Sequence, residues 1–266
     1  MKIVNRKAFW STIIAVAVPF GLYTVGKVVI TNTVESAIVQ IFLREVLLFV
    51  LTLISAIVTK RLGCMKFKKE GFWTTLSILA LMIFYPVFSI SVNLFYGDIK
   101  PVTVGPGLIF MFVVTMILVG ITEELLFRGI LMNGMFEAFG EDSVSSVKKG
   151  IVISAVIFGM LHMFNLITGA DFGGVFVQSV TAIPAAMLWG AAYYRGHKNI
   201  WPCVIVHSIE DTLSFIQGGL LAGASFASSV SGFSFLQYVV ALIDLSIALF
   251  AMRKKKMQPL IDEKTK

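Results

Sequence analysis

Three short stretches place ionisable residues inside otherwise apolar sequence. ITEELLFRG carries Glu123, Glu124 and Arg128, FGMLHMFN carries Phe158 and His162, and HSIED carries His207 and Asp211. An ionisable side chain at the centre of a membrane helix costs ~2.5–3.5 kcal/mol on insertion scales, so such residues mark function by default. The spacings have direct consequences on a helix. Glu124 and Arg128 are four apart, share a face and can pair, with the acid N-terminal to the cation. Glu123 points about 100° away from Glu124 and is left to face a cavity. His207 and Asp211 share a face in the same way, and Phe158 sits one turn before His162, where it can pack beside a site. Taken singly, Glu124 with Arg128 reads as a structural ion pair and either histidine as a helix-packing residue. The clustering of titratable groups argues for a site. His197, the third histidine, falls in a basic loop and reads as surface.

The chemistry such a set can perform is amide hydrolysis, which needs an activated water, a donor for the developing oxyanion and a proton for the leaving amine. A carboxylate and two imidazoles can supply all three without a cofactor. Two histidines and a carboxylate can equally hold a catalytic zinc, with Glu123, His162 and His207 as ligands. The sequence has no HExxH pattern, so the reading without metal is preferred and zinc stays open. Neither a Ser/His pattern nor a pair of intramembrane aspartates is evident.

The elements that must position these residues are membrane helices. Hydrophobic residues make up 57% of the 266 and charged residues 14%, against about 25% charged in soluble domains. The apolar residues come in blocks of roughly 20, the length that spans a bilayer as helix. Spans are expected near 9–30, 37–59, 72–95, 105–127, 150–167, 175–194, 200–217 and 233–252, an all-α polytopic protein of about eight transmembrane helices. The first block lacks a clear cleavage site and is kept as a span. The fourth continues to Phe139, so its excess runs along or past the membrane boundary. Pro184 is expected to kink the sixth span, and Gly218–Gly232, rich in Gly and Ser, reads as a flexible outer loop.

Threaded alternately, these spans put 18 of the 22 Lys and Arg on one side. Positive charge marks the cytoplasmic face, so both termini are expected there. The net charge of +7 therefore reports topology and not a nucleic-acid surface. Lys27 reads as snorkelling to the outer interface, Arg44 and Glu45 as helix-packing contacts, and Asp244 has no evident partner. Cys64 and Cys203 are expected to form neither a disulfide nor a metal site. His207 lies nine residues beyond Lys198, ~13 Å along a helix, and His162 lies 13 beyond Lys149, ~20 Å. Glu123 falls ~6 Å inside the cytoplasmic boundary, so all three can meet in one half of the bilayer.

The motifs resemble those of the CPBP family of intramembrane proteases, which includes CAAX prenyl-protein endopeptidases and the bacteriocin-processing or immunity (Abi) proteins. EELLFR looks like the family's EExxxR, FGMLH its FxxxH, and HSIED its third motif, His followed four later by Asn or Asp, all in family order. The resemblance covers roughly Leu108 to Gln217 within a single transmembrane domain over 1–266. Residues 1–104 supply three spans without motifs, 105–217 the catalytic core, and 218–266 an outer loop, a last span and a basic tail. The resemblance implies that Glu123 activates water with the help of His162, and that His207 and Asp211 support the oxyanion. It makes Glu124 and Arg128 structural or substrate-orienting. An Asp at the third motif is acceptor-only when ionised, so Asp211 is expected to orient His207 from one turn away.

The implied substrate is a membrane-associated peptide or lipidated protein, reached within the lipid bilayer, and no nucleic acid is involved. A bacterial cell membrane is favoured by the lack of a targeting sequence, and a bacteriocin or other secreted precursor would then be the natural substrate. The metalloprotease description often attached to the family is the zinc reading above. Two rivals stand beside the enzyme: a non-catalytic immunity or regulatory protein on the same scaffold, and a proton-relaying transporter. The transporter would show inverted repeats, and none is evident.

Overall fold

The computed structural model describes residues 3–96, 102–225 and 235–264, and every regular element among them is helical. In chain order these are α1 (Arg6–Thr33), α2 (Ala37–Val58), α3 (Phe72–Tyr96), α4 (Pro106–Glu124), α5 (Asn133–Phe139), α6 (Val144–Leu161), α7 (Phe172–Arg195), α8 (Trp201–Gln217), α9 (Phe235–Ala251) and α10 (Lys254–Lys264). A π-helical segment, Leu125–Met132, joins α4 to α5, and a 3₁₀ segment, His162–Thr168, extends α6. The starts follow capping rules: Asn5, Ser143 and Asp171 accept backbone N–H bonds at the heads of α1, α6 and α7.

Outward faces are apolar. On α1, Trp10, Ile14, Val18, Leu22, Val25 and Val29 recur every three or four residues and are all more than half exposed. A water-facing helix would carry polar residues there, whereas a lipid-facing one carries these. Among the described residues, six helical stretches are long and apolar enough to cross a membrane, and α9 with α10, bent by 49° between them, makes a seventh if the pair is one span. The short α8, 17 residues long, packs in the interior between α3 and α4. With it the bundle has about the eight crossings expected from the hydropathy pattern. Pro184 lies within an unbroken α7.

Three features go beyond the sequence reading. Residues 106–139 form one continuous helical stretch of 34 residues, and the π segment inside it is buried at every position. The excess of the fourth block is thus core, enclosed by α1, α2 and α6. The first part of the Gly218–Gly232 loop is also packed: Leu220 and Leu221 are buried with Ile38, Ile41, Phe112 and Met116. The rest of that loop, 226–234, lies outside the described residues, as does Lys100. Finally, the basic tail is helical. Met257 and Ile261, one turn apart on α10, are buried, and α10 packs on α6 and α7.

The contact that positions the site is between α4 and α8. A Cβ at Gly120 would lie 2.2 Å from Ser208 Oγ and 2.9 Å from the Val204 carbonyl oxygen, so only a glycine allows the helices to come this close. One turn further along α4 are Glu123 and Glu124, directly opposite His207.

Candidate active site

Glu124 and Arg128 pair as their spacing requires, Oε1 to Nη1 at 2.9 Å, with both side chains essentially inaccessible. Phe158 and Trp189 lie 5.7 and 5.3 Å from the guanidinium carbon, adding cation–π attraction in a desolvated setting. The same Glu124 Oε1 accepts a hydrogen bond from His207 Nδ1 at 2.8 Å. That bond fixes the ring, which also rests against Trp189. Nε2 then faces two carboxylates, with Glu123 Oε2 and Asp211 Oδ2 each 3.6 Å away.

His207 is therefore oriented by Glu124, and the orienting part expected of Asp211 is not its geometry. Asp211 lies on the opposite, Nε2 side of the ring. Glu124 correspondingly does more than pair with Arg128, because its carboxylate connects the first motif to the third.

His162 is held differently. Its Nδ1–H donates to the Phe158 carbonyl at 3.0 Å, and its ring stands edge-on to Phe158, centroids 4.8 Å apart. Phe158 in turn packs edge-on against Phe127 of the π segment. The two motif histidines thus both make their supporting contact through Nδ1.

Glu123, His162, His207 and Asp211 all line one cavity of about 370 Å³ at the centre of the bundle. Arg128 and Phe158 are also in its wall, while Glu124 is buried behind His207. The cavity contains further charged groups that the motifs do not include. Glu210, three residues after His207, Asp244 of α9, and Lys27, Arg44 and Glu45 all line it. Glu210 had a sequence signal, since position i+3 shares the His207 face. Lys27 does not snorkel outward: it is buried, and its Nζ donates to Asn165 Oδ1 at 2.9 Å. Arg44 donates to Gln40 at 3.1 Å and to the Thr31 hydroxyl, which fits the packing contact expected of it.

Glu123, His162 and His207, the residues a zinc ion would use, do not bring one ligand atom each within 4.8 Å of one another. Among the described residues, the one trio whose candidate ligand atoms gather within 4.8 Å of one another is Glu70, His197 and Glu263, at a distant surface. His197 is accordingly a surface residue, 3.5 Å from Glu70. Cys64 and Cys203 are free thiols.

These features define a polytopic membrane protein with a charged central cavity and a carboxylate–imidazole cluster in its wall. Residues 105–213 match the Rce1-like family, described as type II CAAX prenyl endopeptidase Rce1-like, which bears out the CAAX-protease resemblance over the segment that supplies all three motifs. No curated protein and no solved structure matches the chain. The family match supports an intramembrane endopeptidase function in general, with substrates embedded in the membrane.

Proposed function

We propose that this protein hydrolyses a peptide bond in a membrane-associated or lipidated substrate, using water activated by Glu123 and no resident metal. The observation that carries this reading is the fixed ring of His207: Glu124 holds Nδ1, so Nε2 meets Glu123 and Asp211 inside the cavity. A carboxylate and an imidazole nitrogen that flank the same space can share the work of one proton-transfer cycle.

Glu123, partly exposed to the cavity, takes a proton from water as it attacks the scissile carbonyl. The oxygen that gains charge is stabilised by N–H from the protonated His207 ring, at Nε2. Glu123 then returns the proton to the leaving amine. His162, through Nε2, helps to hold the attacking water, since its Nδ1 is committed to the Phe158 carbonyl. Asp211 supports the charged imidazole from the Nε2 side. Arg128 holds the Glu124 carboxylate in place through their 2.9 Å contact.

We place the site in the cytoplasmic half of the membrane, with both termini cytoplasmic, on the strength of the basic loops. The decisive experiment compares membrane and secreted peptides from cells carrying wild type and Glu123→Gln. Fragments present with the first and missing with the second identify the substrate. Identical peptide sets with an intact, folded variant would favour the non-catalytic immunity or regulatory role instead.

A further inference from the structure

We propose that Asp244 and Glu210 form an acidic subsite in the same cavity, and that it receives a cationic nitrogen of the substrate close to the scissile bond, on a basic side chain or a free amino end. The proposal rests on the protease reading and deepens it. Asp244 lies beyond the matched segment 105–213, and Glu210 occupies an unspecified position of the third motif, between His207 and Asp211.

Asp244 is the charged residue for which the sequence offers no partner. It is only 4% exposed, and among the described residues it makes no hydrogen bond and no ion pair. Its place on α9 directs it inward. Gln237, Val240, Ala241 and Asp244 all line the cavity and follow the three-and-four spacing of one helix face, whereas Leu242, Ile243 and Leu249 are exposed on the outside. Glu210 also lines the cavity and likewise has no bonded partner among the described residues. α9 packs on α7, and α8 on α3 and α4. The two acids thus come from separate helices and have the cavity in common, near enough for Glu210 to feel the charge of Asp244.

His207, the one base on α8, is already engaged: Glu124 holds Nδ1, and Glu123 and Asp211 flank Nε2. α8 and α9 therefore bring three carboxylates and one imidazole to the cavity, and neither contributes a Lys or Arg. A carboxylate taken out of water without a partner is costly, and a cation carried in by the peptide offsets that cost in a low-dielectric space. The subsite is next to the catalytic groups. Glu210 is three residues past His207, ~4.5 Å along α8, so a cation bound there belongs to a residue within a few positions of the cut. α8 runs away from the basic connection Arg195–Asn199, which puts that residue deeper in the membrane than the cut. A basic side chain is expensive in lipid at depth, so a peptide that carries one gains more from the subsite than an apolar peptide does.

Binding is measured with Glu123→Gln protein in phosphatidylcholine nanodiscs, so that hydrolysis plays no part. The probes are photoreactive apolar heptapeptides. Three are acetylated and amidated, with lysine, norleucine or glutamate at the centre, and a fourth has norleucine there and a free amino end. A charge-assisted contact predicts that the lysine peptide, the free-amine peptide or both bind about tenfold or more tighter than the capped norleucine peptide. Which one does so identifies the source of the cation. Asp244→Asn and Glu210→Gln, close in volume to the acids they replace, should each weaken that preference and together remove it. Equal binding of the lysine, free-amine and capped norleucine peptides overturns the proposal, as does a glutamate peptide that binds as tightly as the lysine one, or a preference that survives the double substitution. Loss of the preference on adding magnesium chloride, but not sodium chloride at the same ionic strength, would assign the pair to a divalent cation and overturn it too. Should the double variant fail to fold, Asp244→Asn carries the test alone. Failure of wild type to cleave any of the peptides would count against the protease reading and leave the binding result standing.

Discussion

His207 Nδ1 and Glu124 Oε1 are 2.8 Å apart although 83 residues separate them in the chain. This contact, with the Glu124–Arg128 pair behind it, makes one carboxylate responsible both for the fold around the π segment and for the direction of the reactive ring. Replacing Glu124 with Ala leaves Arg128 buried without its anion, which costs ~3–5 kcal/mol in comparable buried pairs. Glu124→Gln keeps an acceptor oxygen for the ring and should be milder in stability. Thermal unfolding in detergent, followed beside cleavage, should rank the variants in that order. Glu124→Ala as stable as wild type would remove the structural half of this account.

Glu123 is the contrasting case. It is partly exposed to the cavity, and its contact with His207 is at 3.6 Å, too long for a strong hydrogen bond. Glu123→Gln should therefore unfold near the wild-type temperature while turnover falls ~10²–10⁴-fold, the usual range for loss of a general base. A variant that cleaves normally excludes Glu123 as the base.

The approach of α4 to α8 can be tested without touching a charged residue. Gly120→Ala forces a Cβ to within 2.2 Å of Ser208 Oγ and 2.9 Å of the Val204 carbonyl. Overpacking of this kind costs ~1–3 kcal/mol and shifts backbone. Activity should drop, because the shift pulls Glu123 and Glu124 away from His207. Adding Ser208→Gly removes one of the two clashes and should restore part of both stability and turnover. A double variant no better than the single would show that the helices do not meet here as described.

Much of this site was legible because its parts are local. The i,i+4 pairs in EELLFR and HSIED each lie on one helix, and the apolar blocks gave the spans around them. What escaped depends on distant partners. Lys27 near a helix end looked like a snorkelling residue because nothing in the sequence points to Asn165, 138 residues away. The bond from His207 to Glu124 was equally hidden, so Asp211, the nearer acid in sequence, received the orienting part. The π segment has no signature in its own apolar residues, being imposed by tertiary packing. The α10 helix did carry a signal, Met257 and Ile261 at i,i+4, set within lysine-rich sequence that reads as a tail.

Cys64 offers a test of sidedness that takes its chemistry into account. It lies in the 3₁₀ turn Leu62–Met65 between α2 and α3, and burial pushes its thiol up to about 11. The thiolate is the nucleophile, so at neutral pH Cys64 should react slowly with maleimide, and the rate should climb as pH rises toward that value. Phe67, 62% exposed in the same connection, is the better reporter. In a Cys64→Ser, Cys203→Ser background, Phe67→Cys should label only after cells are permeabilised. Rapid labelling in intact cells would invert the proposed topology and put the site in the outer half of the membrane.

Metal dependence separates the two water-activating schemes. In the reading without metal, purified protein holds substoichiometric zinc and keeps its turnover after slow chelation and dialysis. One tightly bound zinc per chain, lost together with activity in both His162→Ala and His207→Ala, would decide for a metalloprotease and require the cavity groups to close up on the ion.

Asp211 is where the geometry changes the expectation most. Its Oδ2 is as far from His207 Nε2 as Glu123 Oε2 is, 3.6 Å, so it borders the space where the proposed mechanism seats the carbonyl. An ionised carboxylate there stabilises the protonated ring but cannot donate to an oxyanion. Asparagine loses the charge and gains N–H donors in the same volume. The two changes oppose each other, and Asp211→Asn should keep turnover within about tenfold of wild type. Asp211→Ala gives up both and should lose more. In the proposed mechanism His207→Ala removes the oxyanion donor itself, a loss typically worth ~10²–10³ in rate, and should be the most damaging of the three. Because Glu124 holds the ring from Nδ1, neither Asp211 variant should disturb its orientation, so KM should move less than kcat. An Asp211→Asn protein as inactive as His207→Ala would mean that the Asp211 charge is itself indispensable, as a proton donor or a ligand.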